Sequence, residues 1–426
     1  MIMLNLDFNK EYNMFCFTER MSKLTLFICM TILITSCHQQ ADEKNKVAVL
    51  SQKVEVPVDI IVGAQNVAEY HPLLEGKTVG MVVNQTSVID GEHLVDSLLK
   101  LGVNIKMIFA PEHGFRGEAD AGEQIKDSKD AQTGIPVVSL YGKKKKPVKD
   151  DLAGIDVIVF DIQDVGARFY TYISSLHYVM EACAENGIPI IVLDRPNPNG
   201  HYVDGPILEK KYKSFVGMHP VPVVYGMTIG EYAQMINGEG WLDNGAKAEL
   251  TIIKNREYTR DTYFNLPIKP SPNLPNIQSI FLYPSLCFFE GTMMSVGRGT
   301  NTQFQVMGHP NYEGGDYTFT PITGPGAKYP KHENKVCRGR DLTKLPKGVL
   351  HELGRLDLSY LIESYNNLKH QDIPFFNDNN FFEKLAGTLD LRTQIKAGKT
   401  EEVIRATWQD GLVEFEKVRG QYLLYE

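Results

Sequence analysis

Val157-Ile158-Val159-Phe160-Asp161-Ile162-Gln163-Asp164-Val165-Gly166-Ala167-Arg168 is a compact apolar run that ends abruptly in acid, amide and guanidinium groups. Consecutive Val, Ile and Phe without polar alternation read as a strand buried on both faces, the pattern of a parallel sheet. Val79–Val83, Ile105–Phe109, Val137–Leu140 and Ile190–Leu193 have the same character. Helix-like segments lie between them at Val95–Leu101, Tyr170–Glu185 and Glu231–Asn237, and Asn186-Gly187 closes the second as a C-cap pair. This alternation predicts a Rossmann-like, doubly wound, mostly parallel α/β domain over residues 58–240. Residues 241–426 read as a second, α+β domain. It is rich in Pro, Gly, Asn and aromatics up to about 348, with a strand candidate at Glu249–Lys254. Helices are expected at Ser359–Leu368, Asn380–Ala386, Leu391–Ala397 and Glu401–Val418.

The chain has 426 residues, 43% of them hydrophobic and 23% charged, enough for a sizeable core. A net charge of −8 gives nucleic acid no basic surface to grip. Lys143–Lys146 is the exception and reads as a solvated loop. No G-x-G-x-x-G, Walker, G-x-S-x-G or H-E-x-x-H motif occurs, so neither cofactor nor metal is expected. The apolar run Leu24–Ile34 follows Met21-Ser22-Lys23 and is too short to span a bilayer. It fits a signal-peptide core whose start is Met21. Ile34-Thr35-Ser36-Cys37 matches a bacterial lipobox, so residues 1–37 are a signal region and Cys37 is the lipidation site. Residues 38–57 read as a flexible tether. The expected location is outside the cytoplasm, periplasmic or at the cell surface, held to a membrane by lipid. Cys183 and Cys287 read as buried small hydrophobes.

Ligands of open α/β sheets bind beyond the carboxyl ends of the strands. The first strand exits into Asn84, the second into Glu112-His113-Gly114-Phe115-Arg116-Gly117-Glu118. The fourth exits into Asp161, Gln163, Asp164 and Arg168, and the fifth into Asp194-Arg195-Pro196-Asn197. Carboxylates, amides and guanidiniums at converging strand ends suit a carbohydrate cleft. Each also has a plainer reading: Asp161 or Asp164 as a helix cap, Asn197 as a turn former, His113 as a structural histidine. A second cluster, Phe289-Glu290-Gly291-Thr292 and Gly297-Arg298-Gly299-Thr300, follows the Pro-rich stretch Pro270–Pro275. Glu290 and Arg298 face the cleft if this segment closes it; otherwise they form a local ion pair.

These motifs in this order resemble the NamZ family of exo-β-N-acetylmuramidases, over about residues 58–426. The carrying residues are Pro111-Glu112-His113-Gly114-Phe115-Arg116-Gly117, the Asp161–Tyr172 run, Asp194-Arg195-Pro196-Asn197-Pro198, Glu290-Gly291-Thr292 and Gly297–Thr300. The lipobox and tether look like those of a Bacteroidetes member. The resemblance implies a site between a Rossmann-like domain and an unusual C-terminal domain. It implies release of N-acetylmuramic acid from the non-reducing end of peptidoglycan fragments, muropeptide or disaccharide, and it maps the catalytic glutamate onto Glu112.

Glycosidases usually flank the scissile bond with two carboxylates. Glu112, in a tight loop shielded by Phe115, suits the general acid. Its partner is Glu118, Asp161, Asp164 or Glu290. In a substrate-assisted variant the 2-acetamido group attacks its own anomeric carbon, oriented by Asp161 and Asp164. The lactyl carboxylate of the sugar calls for a bidentate arginine, with Arg116, Arg168, Arg195 and Arg298 as candidates. Asn84, His113, Gln163, Asp194 and Asn197 complete the expected substrate contacts. Two rivals stand beside this reading: a non-catalytic surface glycan-binding lipoprotein, and an NAD-dependent glycosidase.

Overall fold

The computed structural model describes residues 60–116 and 128–426. Cys37 and Glu118 therefore lie outside the described residues. The strands of the first half are β1 (Thr78–Val83), the hairpin β2 (Val88–Ile89) and β3 (Glu92–His93), then β4 (Asn104–Ala110), β5 (Ser128–Lys129), β6 (Pro136–Ser139), β7 (Val157–Asp161), β8 (Ile190–Leu193) and β9 (Leu250–Ile253). Seven of them form one sheet in the order β5-β6-β4-β1-β7-β8-β9. All neighbours are parallel except the edge pair β5–β6. Counted by appearance, the parallel strands run 3-2-1-4-5-6, the Rossmann order. β9 joins the sheet from beyond residue 240, so the sheet outruns the boundary expected from the sequence.

Alternate residues of each central strand feed different cores. Val79, Met81, Val83, Val157 and Val159 pack on one face with helices Val67–Leu74 and Leu94–Lys100. Val82, Ile158, Phe160, Ile190 and Val192 pack on the other with helices Tyr172–Asn186 and Ile229–Gly238. Both faces are covered, which is why the strands are apolar throughout.

The second half supplies a small antiparallel sheet, β10 (Val306–His309), β11 (Tyr317–Phe319) and β12 (Cys337–Asp341), in the order β10-β12-β11. The apolar core on the second face of the main sheet continues into this half without a break, through Phe288, Leu361 and Phe415. The helix expected over Glu401–Val418 is two, Glu401–Ala406 and Gln409–Arg419, parted where the Trp408 ring turns into the core. Helix Ile277–Leu286 is buried at every position, and Asn276 caps it by accepting from the Ser279 amide at 3.0 Å. Its lack of a polar face hides it from periodicity. Cys183 and Cys287 are buried thiols, as the sequence suggests. Lys143–Lys146 is not a free loop: Lys144 pairs with Asp151, and Lys146 with Glu181 and Glu185.

Candidate active site

The crevice where the strand order reverses lies between the ends of β1 and β7. The segment around Pro270 closes it. The Pro270 carbonyl accepts from Tyr170 Oη at 2.8 Å, Gln85 Nε2 at 3.0 Å and Tyr172 Oη at 3.3 Å. The polar strand ends beneath are held largely by protein groups, although Asn84 Nδ2 and Asp164 Oδ1 are buried without a hydrogen-bond partner among the described residues. Arg195 clasps Asp161 with Nε at 2.6 Å and Nη2 at 2.8 Å, both side chains essentially sealed from solvent. Asp194 accepts from Thr228 Oγ1 at 2.7 Å, the Gly230 amide at 2.8 Å and Tyr425 Oη at 2.6 Å, and burial pushes its carboxyl up to about 7. Asp164 accepts from the Gly166 amide at 2.8 Å and from Tyr225 Oη; burial pushes it up to about 6. Gln163 donates to the Asp164 and Pro196 carbonyls, and Asn197 to the Met227 carbonyl. Asn84 accepts from the Thr86 amide and hydroxyl.

These residues form a buried polar scaffold and not a cleft. Asp161 and Asp164, expected as catalytic carboxylates or acetamide orienters, are buried here and do not line the open cleft described below. Asn84, Gln163, Asp194, Arg195 and Asn197 are likewise buried away from it. Arg168, with no exposed surface, donates to four carbonyls, those of Pro206, Val221, Leu385 and Ala386, at 2.6–3.0 Å. It joins the two halves of the chain and cannot reach a ligand. Arg116 faces away, paired in a fork with Asp130 at 3.0 Å. Phe115 packs beneath Arg116 and against His93 rather than over Glu112.

The open cleft lies beside the plug and measures about 510 Å³, within the range of small-molecule sites. Its lining brings together Glu112 from the first half with Glu290 and Arg298 from the second. Phe169, Phe215, Tyr283, Phe381 and Leu385 supply apolar wall, the kind of surface a pyranose ring packs on. His113 lines a smaller adjoining cavity with Glu112, Arg298 and Phe304. Glu112 sits at the exit of β4 in a turn closed by Gly114 N donating to the Pro111 carbonyl at 3.0 Å. His113 and Gly114 both adopt left-handed backbone, at φ 72° and 79°. Histidine tolerates this region better than most residues, though at a cost; strain of this kind gathers at functional loops.

Thr171 Oγ1 donates to the Glu112 Oε2 at 2.9 Å, and burial beside the same carboxylate pushes the Tyr141 phenol well up. Thr171 is the N-cap of helix Tyr172–Asn186, yet its side chain caps nothing because the hydroxyl is turned to Glu112. Glu290 meets cations instead. Arg298 Nε donates to its Oε1 at 3.0 Å, and both side chains keep about a quarter of their surface open, 25% and 22%. Burial pushes the Glu290 carboxyl up, but Arg298 and Lys331 outweigh it and hold it below the usual range. The guanidinium rests on the Phe304 ring at 5.1 Å. Lys331 staples the loop from behind, donating to the carbonyls of Phe289 at 2.7 Å, Glu290 at 3.1 Å and Thr292 at 2.8 Å.

Carbohydrate-cleaving enzymes are the class to which this fold and cleft point: paired glutamates in different electrostatic settings, apolar walls and an arginine for an acidic group. Comparison narrows the class to one family. Residues 79–278 match the profile described as exo-beta-N-acetylmuramidase NamZ, N-terminal, and residues 281–425 its C-terminal counterpart, so the chain belongs to the NamZ family. It is 38% identical over 424 residues to the peptidoglycan beta-N-acetylmuramidase NamZ of Bacillus subtilis, covering 94% of this chain and 99% of the relative. It resembles the crystal structure of a DUF1343 family protein from Bacteroides fragilis, with TM-score 0.80 and 47% identity over 86% of this chain and 99% of that one. A second DUF1343 protein of that organism matches with TM-score 0.71 and 29% identity, covering 87% of this chain and 100% of the other.

Sequence reasoning missed Tyr141, Thr171 and Lys331. Tyr141 stands at the carboxyl end of β6, and the strand-end rule extended to that strand points to it. Lys331 lies in a segment without periodicity, and nothing in the sequence singles it out.

Proposed function

We propose that the protein releases N-acetylmuramic acid from the non-reducing end of peptidoglycan fragments, with Glu112 as proton donor and Glu290 as its ionised partner. The observation that carries this reading is the shared cleft, in which Glu112 accepts from the Thr171 hydroxyl and cations face Glu290. Two carboxyl groups on opposite sides of one cleft are the arrangement that acid catalysis of glycoside cleavage needs. One held ionised suits stabilisation of the positive charge that develops at the anomeric carbon, or attack on it. Of the arginines considered, Arg298 alone lines the cleft. Its Nε is spent on Glu290, while its terminal amino groups have no partner among the described residues. They are suited to the lactyl carboxylate of the substrate.

A chromogenic β-N-acetylmuraminide should be hydrolysed and the β-N-acetylglucosaminide, which lacks the lactyl group, left intact. Equal turnover of both rejects recognition by Arg298. A purely binding role fits less well. Trp408 is buried and half-buried Trp241 stacks on His219 at 4.4 Å, and neither tryptophan lines the cleft that holds Glu112.

Export and lipid anchoring at Cys37 complete the proposal, supported by the apolar run and the Ile34-Thr35-Ser36-Cys37 motif. Cys37→Ala should move the protein from membrane to soluble fractions; unchanged fractionation rejects the anchor.

A further inference from the structure

The walls of the cleft are unevenly buried. Phe169, Tyr283 and Leu385 in its lining are closed to solvent, at 3%, 7% and 2% exposure. Tyr329 lines the same cleft at 84% exposure, the most open large hydrophobic side chain among the described residues. We propose that Tyr329 is the platform for the sugar on the leaving-group side of the scissile bond, which makes it a specificity-determining residue. The proposal rests on the reading of the protein as an exo-acting muramidase.

The exposed ring stands on a segment fastened on both sides. Before it, Gly324 and Ala327 exchange backbone hydrogen bonds at 3.2 and 3.0 Å. The buried Asn273 amide donates to the Gly326 carbonyl at 2.7 Å, and Thr323 Oγ1 to the Lys328 carbonyl at 3.1 Å. After it, buried Pro330 packs on Gly299, where an added Cβ would lie 2.9 Å from the Pro330 ring. Lys331 follows, its ammonium spent on the Phe289, Glu290 and Thr292 carbonyls. Held backbone therefore carries Tyr329 alongside the loop of Glu290 and Arg298. Lys328 Nζ is 5.9 Å from the ring centroid, at the limit of a cation–π contact, and leaves the ring open.

A tyrosine on anchored backbone has only two side-chain torsions to lose and offers a flat amphipathic face, so a ligand covers it at little cost in order. The C–H face of a pyranose is apolar and fits such a surface. Position decides which pyranose it is. An enzyme that removes a terminal sugar must enclose that sugar and let the rest of the chain pass out through the mouth. The buried aromatic walls suit the terminal sugar. Tyr329, on the open rim, meets the ring that follows it.

The test uses the full-length protein and the disaccharide of N-acetylmuramic acid on N-acetylglucosamine. Two quantities are followed: kcat/KM for the disaccharide, and the inhibition constant of free N-acetylmuramic acid, which occupies only the enclosed end. Tyr329→Ala should lower kcat/KM about tenfold, chiefly through KM, the effect of leaving roughly 50–60 Å² of apolar surface uncovered. The inhibition constant should stay within about twofold, because that sugar does not reach the rim. Tm should not move, since the side chain is exposed. Tyr329→Phe keeps the ring and should keep most of the wild-type kcat/KM. An unchanged kcat/KM in Tyr329→Ala overturns the platform. An equal loss in kcat/KM and in inhibition by N-acetylmuramic acid overturns its leaving-group side. A Tyr329→Phe loss as large as that of Tyr329→Ala overturns stacking in favour of the hydroxyl. Wild-type protein that releases no N-acetylmuramic acid from the disaccharide would instead remove the muramidase reading itself.

Discussion

Asp161 and Glu290 are both carboxylates held by an arginine, and their settings differ in one respect. Asp161 and Arg195 meet through two parallel hydrogen bonds, with both side chains almost wholly closed to solvent. Glu290 and Arg298 share a single Nε contact and keep about a quarter of each side chain open to the cleft. A bidentate, fully buried pair is structural, because the protein encloses both partners and leaves no open face for a ligand. A half-used, half-buried pair is available for chemistry. The same contrast separates Arg168, whose carbonyl partners lie on both halves of the chain, from Arg298. Polar residues at strand ends are therefore not in themselves a site. The exposed remainder of their hydrogen-bonding capacity is.

This contrast can be broken by experiment. The largest effect is expected in the cleft: Glu112→Gln should lower kcat by about 10²–10⁴-fold, the usual worth of general acid catalysis, with Tm unchanged. The loss should shrink on an activated aryl substrate that needs less protonation; an equal loss on both substrates removes the acid role. On the sealed side, Asp161→Asn leaves the Arg195 charge buried without its partner. It should cost about 3–5 kcal/mol of stability in denaturant unfolding, while kcat per folded molecule stays near wild type. A large kcat loss in a stable Asp161→Asn protein would erase the distinction between the regions.

Arg298→Lys keeps a positive charge beside Glu290 but loses the fork. KM for the muraminide should rise about tenfold or more with a smaller change in kcat; an unchanged KM would send the search for the carboxylate reader elsewhere. The smallest expected effect concerns Asp164. Burial raises its carboxyl from 3.8 to about 6, so the stability tied to its proton is full below 3.8 and lost as the pH rises through 6. Asp164→Asn cannot ionise. Relative to wild type it should gain about 1–2 kcal/mol between pH 4 and pH 7. A constant difference across that range would mean that Asp164 does not titrate there.

The sheet was readable because its strands are buried on both faces. β7 and β8 are unbroken apolar runs bounded by polar exits, and the parallel pairing follows from the alternation with helices. Helix Ile277–Leu286 was not readable, because burial on all sides leaves no polar face to set a period. Strand exits single out Glu112 and His113 and a glycine-rich turn singles out Glu290 and Arg298, and these four line the cleft or its adjoining cavity. The burial of the strand-end acids was not readable for a physical reason: composition shows which groups leave the sheet, and only tertiary packing shows which of them stay open. Thr171 illustrates the reverse error. At a helix start a threonine reads as a cap, and its departure from that habit is visible only once Glu112 is seen to take the hydroxyl.

Asp194 closes the loop between architecture and biosynthesis. Its carboxylate sits at the tip of β8, yet one of its donors, Tyr425, is 231 residues further along the chain. Arg168 waits almost as long for the carbonyl of Ala386, 218 residues later. During synthesis the sheet can collapse early, but two of its deepest polar groups have only their first-half partners, Thr228 and Gly230 for Asp194 and Pro206 and Val221 for Arg168, until the far half has been made. At roughly 5–20 residues per second, that interval lasts on the order of ten seconds to a minute. For that time the nascent chain carries a carboxylate and a guanidinium each short of its last partners, and a chaperone or translocation machine has its opportunity before the sheet is sealed.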